Sequence, residues 1–129
     1  MSSEPRPTGR AKGERGALEA AVAAAERALA LIAGDDEATY LLNSERQLAI
    51  ERLLIRFGEA LKDVSAKTLL DVDANANWAG PKGFRDLAAH WYEEGLDHAL
   101  IWRTLMHDLP PMVDAIRRWL SSETSLDKT

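Results

Sequence analysis

Apolar positions recur along this chain at spacings of three and four, the period of an α-helix, from residue 18 to residue 120. Residues 14–33 make the first such run. Leu18, Ala21, Ala25, Ala28 and Ile32 form its stripe, Val22 and Leu29 widen it, and Glu14, Glu19, Glu26 and Arg27 fall mostly off it. The many alanines favour helix and permit close packing, and Gly34 is placed to end the run. A longer helix is predicted over residues 36–64. Ile50, Leu54, Phe57, Leu61 and Val64 line one face of it, with Ala49, Leu53 and Ala60 on one flank and Leu48 and Ile55 on the other. The polar Glu45, Arg52, Arg56, Glu59 and Asp63 repeat at the same period. This apolar arc is wider than packing against one neighbour requires. The helix is therefore either the centre of a monomeric bundle or shares its arc with a second subunit.

Residues 65–82 carry Ser65, Asp71, Asp73, Asn75, Asn77, Gly80 and Pro81 and read as loop, with a helical turn over 66–71 and Trp78 tucked into the core. The Asp and Asn residues lack the central glycine and terminal glutamate of a calcium loop. A third helix is predicted from about residue 81–84 to 93, stopped by Gly95. A fourth spans 96–107, with Leu96, Leu100, Ile101 and Leu105 inward. Pro110 and Pro111 suit the start of a fifth, running to Leu120 with Met112, Val113 and Ile116 apolar. No segment alternates as a strand does. The prediction is all-α: one bundle of about five helices over residues 14–120, with a disordered, mildly basic arm at 1–13 and a flexible polar tail at 121–129.

With 129 residues, one domain with a sizeable core is expected. The net charge of −5 argues against a general nucleic-acid coat, which would be basic, but leaves room for an enzyme that holds one RNA phosphate locally. Cysteine is absent, so disulfides and thiolate metal sites are impossible, and a cytoplasmic location is the expectation. No apolar run approaches the roughly 18 residues of a membrane span.

The chemistry concentrates in Gly83-Phe84-Arg85-Asp86-Leu87-Ala88-Ala89-His90-Trp91-Tyr92. On a helix, Asp86 and His90 are four apart and face each other, so the carboxylate can orient the imidazole. Arg85 and Tyr92 are seven apart and share a stripe. Arg85 and His90 are five apart, about 140° round the axis, so one straight helix presents them poorly to a single phosphate oxygen. Either the helix distorts near His90 or a second copy shares the site. Spacing alone favours a solvated polar patch over a site. His90, His98 and His107 fall on different elements and offer no zinc pair; His98 and His107 are expected at the surface or its boundary, and Trp91, Trp102 and Trp119 in the core. Neither a phosphate-binding loop nor a serine or cysteine nucleophile motif is present.

Arg85 through Tyr92 resembles the R-x4-H-x-Y signature of HepT-like toxins in the HEPN superfamily. The flanks agree: Glu51-Arg52 and Phe57-Gly58-Glu59-Ala60 resemble the family's second-helix pattern, and Trp78, Trp102 and Asp108-Leu109-Pro110 fit in order. The resemblance covers roughly residues 38–120. Asp86 stands where Asn is frequent in the family, which leaves the local charge less positive.

The resemblance implies an up-and-down HEPN-type bundle that forms a homodimer and brings two motifs to one cleft. It implies a metal-independent endoribonuclease without cofactor, acting as the toxin of a type II/VII-like toxin–antitoxin pair. Arg85, Asp86 and His90 would be catalytic. Tyr92 would be the acceptor of AMP, transferred from ATP by an MntA-like nucleotidyltransferase antitoxin. The alternative is a catalytically silent HEPN module that binds or regulates. Arrest of growth on expression, dependent on intact site residues, separates the two.

Overall fold

The computed structural model describes residues 9–91 and 95–128, with side-chain surroundings for 13–91 and 95–122. Among the described residues every regular element is helical. Helix α1 (Gly9–Ile32) packs along α3 (Ser44–Leu61) and against α8 (Leu109–Lys128), and these three long helices enclose the core. Leu18, Ala21, Ala25 and Ala28 of α1 are fully buried against Ile50, Phe57 and Leu61 of α3 and Ile116 of α8. Small side chains on α1 let the backbones approach, as the alanine stripe predicted.

Two expected boundaries shift. The arm predicted for 1–13 is helical from Gly9, and residues 1–8 lie outside the described residues. The tail predicted for 121–129 is helical to Lys128. In both stretches an existing helix extends through sequence that contains no proline, and propagation costs far less than nucleation.

The single helix predicted for 36–64 is two. Helix α2 (Glu37–Leu41) ends at Leu42, and Asn43 turns to extended backbone and caps α3 by accepting from the Arg46 amide at 2.9 Å. Asp36 caps α2 in the same way from Thr39. An asparagine oxygen that satisfies a helix-start amide competes with helix continuation, and here it wins. The corner after α1 is fixed by Gly34, at φ 88°, and by Arg46, which donates to Asp35 at 2.7 Å and to the Leu31 carbonyl.

The turn expected at 66–71 is helix α4 (Ala66–Val72), capped by Ser65. Trp78 is buried, its indole donating to the Asp73 carbonyl. Two short helices, α5 (Ala79–Lys82) and α6 (Phe84–His90), then lie on α3. Helix α7 (His98–Arg103) begins at an Asp97 cap rather than at Leu96; Ile101 and Leu105 are buried as expected, but Leu100 is exposed.

The prolines do not open a separate fifth helix. A π-helical segment, Thr104–Asp108, joins α7 directly to α8. Pro110 and Pro111 have no amide to give residues 106 and 107, and their rings crowd those carbonyls; a widened turn relieves the conflict without ending the helix. Within the described residues no helix is long and apolar enough to cross a membrane.

Candidate active site

Helix α6 carries the Arg-x4-His spacing on its outer side and aromatic residues on its inner side. Gly83 closes α5 and opens α6 without a side-chain cap. Phe84, Leu87 and Trp91, at steps of three and four, wall a cleft of about 540 Å³ whose floor includes Leu54 and Phe57 of α3. None of the α6 side chains is fully buried. The helix thus lacks the anchoring of roughly 1.5–3 kcal/mol per buried large side chain that fixes α3.

Arg85, Asp86 and His90 are all exposed. Arg85 leans back over α3, where its Nη1 lies 3.4 Å from Glu59 Oε1. The other carboxylate oxygen of Glu59 is screened from solvent and lies 2.8 Å from Lys62 Nζ. The hydrogen bond from Lys62, and then the charges of Lys62 and Arg85, hold the Glu59 carboxyl below the usual carboxylate range against the opposing effect of desolvation. Beside it, Gly58 is buried and touches α5: a Cβ there would meet the Pro81 carbonyl oxygen at 1.9 Å. Consecutive residues of α3 therefore form the cleft floor, the seat for α5 and the partner of Arg85.

The contact expected between Asp86 and His90 is absent: among the described residues neither side chain has a hydrogen bond or ion pair. Both sit on a solvent-facing helix surface, where water competes for each polar atom. Nor does the single chain bring Arg85 and His90 together, because α6 is a regular helix through His90 and keeps them about 140° apart. Tyr92 lies outside the described residues.

His98 takes the boundary position, one of the two expected of it, and there it is engaged on both ring nitrogens. Its side chain is only 17% exposed, Nδ1 is 3.1 Å from the hydroxyl of fully buried Tyr40, and Nε2 is 3.5 Å from Glu51 Oε2. Tyr40 also packs on Trp102, with ring centroids 5.4 Å apart. Burial, and secondarily the Glu51 charge, raises the Tyr40 phenol above its ordinary range, so it remains a hydroxyl donor. This cluster joins α2, α3 and the start of α7. His107 is exposed, as expected, and Trp102 is core, while Trp91 and Trp119 are half-buried.

The sequence places Glu59 among the off-stripe polar residues and in the second-helix pattern, but gives it no role. The adjacent Phe57-Gly58-Glu59 is the signal that could have found it: a glycine inside a strongly apolar helix marks a close approach.

A family model described as Ribonuclease HepT-like matches residues 21–119. No curated protein and no solved structure matches the chain.

Proposed function

This chain belongs to the HepT-like ribonuclease family, and we propose that it is an endoribonuclease toxin acting by RNA transesterification. The 2′-hydroxyl of one nucleotide attacks the adjacent phosphorus, the bond to the 5′ oxygen breaks, and the products are a 2′,3′-cyclic phosphate and a 5′-hydroxyl end. One proton leaves the attacking hydroxyl and one reaches the leaving oxygen. His90 serves that exchange, since an imidazole can accept a proton at one ring nitrogen and donate one from the other. Arg85 stabilises the charge that builds on the phosphate oxygens. Asp86, one turn before His90 on the same exposed surface, orients the ring once substrate orders both. A homodimer supplies two motifs to one cleft, which resolves the 140° separation within one α6.

The observation that supports this reading is that the family match spans a helix whose Arg, Asp and His all face solvent while its aromatic side faces inward. The test is cleavage of RNA in EDTA by purified protein beside Arg85→Ala and His90→Ala. Loss of at least about 100-fold is expected for each, the scale of general acid–base and charge-stabilising groups. Full activity in both variants would overturn it, and absence of cleavage and of toxicity in the wild type would favour the silent helical module.

We assign control of this activity to Tyr92. An MntA-like nucleotidyltransferase transfers AMP from ATP to the phenol oxygen, releasing pyrophosphate. The added phosphate brings negative charge to a surface that must hold RNA phosphate, and it competes for Arg85. Tyr92→Phe should cleave RNA yet resist silencing. Intact mass after incubation with the partner and ATP decides it: adducts that persist unchanged in Tyr92→Phe exclude this residue.

A further inference from the structure

We infer that Glu59 is a positioning residue for Arg85, and that α3 rather than α6 sets where the phosphate-binding guanidinium sits. The inference rests on the ribonuclease reading but goes beyond the motif. Three observations carry it. Glu59 is the one partner of the Arg85 guanidinium among the described residues, at 3.4 Å. Helix α6 has no fully buried side chain and no side-chain cap, so nothing within α6 fixes a side chain that is 62% exposed. The register between Glu59 and Arg85 is set by backbone contact next door, where Pro81 sits on Gly58 too closely for any Cβ.

The geometry also distinguishes positioning from quenching. Glu59 engages Arg85 through a single nitrogen, Nη1, and a guanidinium carries five N–H donors, so a face remains for a phosphate. The closer partner of the Glu59 carboxylate is Lys62, at 2.8 Å on the other oxygen, so Arg85 shares the carboxylate with a second cation. Arg85 is therefore held by Glu59 without being neutralised by it. An ion pair this exposed adds little to folding stability, so its effect is on the location of the cation rather than on the fold.

The experiment is a double-mutant cycle on RNA cleavage with Glu59→Ala, Glu59→Gln, Arg85→Ala and the double variant Glu59→Ala/Arg85→Ala, with thermal melts alongside. Glu59→Ala should lower kcat by roughly 10- to 100-fold, the cost of misplacing a group by about 1 Å, with KM and melting temperature little changed. Glu59→Gln keeps the accepting oxygen and should recover most of the rate. In the Arg85→Ala background, Glu59→Ala should cost nothing further, because the residue it positions is gone. Additive losses in the cycle, or a Glu59→Ala variant as fast as wild type where Arg85→Ala is inactive, would overturn the inference and leave the ribonuclease reading intact. If the wild type cleaves no RNA, the ribonuclease reading fails and a second readout still decides positioning. The Arg85 Nε–Hε order parameter by NMR should fall in Glu59→Ala and persist in Glu59→Gln; an unchanged value in both refutes it.

Discussion

Gly58→Ala isolates the contact that seats the motif-bearing helices on α3. A Cβ at this position would stand 1.9 Å from the Pro81 carbonyl oxygen and 2.7 Å from its carbon. Contacts of a real Cβ stay beyond about 3.0 Å, so the α5 turn must retreat by at least 1.1 Å. The obstructing atoms are backbone, and Pro81 has little torsional freedom with which to yield. Overpacking of this kind costs about 1–3 kcal/mol. Replacing glycine by alanine inside a helix returns about 1 kcal/mol. Because no flexible side chain can absorb the clash, the upper part of the range applies and a net loss of about 2 kcal/mol is expected. For a domain of this size that corresponds to a melting temperature lower by roughly 8 °C. The functional loss should exceed the loss of stability: retreat of Pro81 carries α6 with it and breaks the 3.4 Å contact between Arg85 and Glu59, and displacement by about 1 Å can cost roughly 100-fold in rate. Urea and thermal unfolding together with RNA cleavage at a temperature where the variant is fully folded test both parts. A Gly58→Ala protein that melts at or above the wild type and cleaves at the same rate would refute the reasoning, since that is what helix propensity alone would give.

Four further outcomes follow from other positions. Gly16 lies exposed in α1, and a methyl group added there would meet nothing within 4 Å, so Gly16→Ala should raise stability by up to about 1 kcal/mol, the opposite sign to Gly58→Ala in the same melt. Tyr40→Phe removes the hydroxyl that bonds His98 Nδ1 inside a packed cluster and should cost about 1–2 kcal/mol in urea denaturation while RNA cleavage at saturating substrate is retained. Asn43→Ala deletes the α3 cap and should cost about 1 kcal/mol in the same assay. The Glu59 carboxyl is held below its ordinary range, so its ion pairs contribute above that range and are lost as pH falls through the depressed value. Because these pairs are exposed, the loss is small in melting temperature and is read on the carboxyl itself: by NMR titration the Glu59 side chain should deprotonate below the ordinary glutamate range in the wild type and move back toward it in Lys62→Ala; an unmoved midpoint would contradict the assignment.

The helical character of the chain, the burial of Leu18, Phe57, Leu61 and Trp78, and the cluster of Arg85, Asp86 and His90 on one short segment follow from sequence, because period and residue type are local properties. The local signals also marked Gly34 as a stop and residues 66–71 as helical. What needed the tertiary structure was every relation between distant residues. Residues 43–47 are all polar, which suits the exposed face of one long helix as well as a break; in the fold Asn43 caps a new helix there, and only the tertiary structure reveals which of the two hydrogen-bonding schemes the backbone takes. Pro110 and Pro111 read locally as a helix start, but packing of α7 and α8 favours a π-helical join over a break. For His98 the sequence leaves surface and boundary open, because the partners that decide it, Tyr40 and Glu51, are 58 and 47 positions away. Glu59 and Arg85 are separated by 26 residues, and nothing in either one's neighbourhood names the other. Their meeting is decided by how closely α5 can approach a glycine on α3.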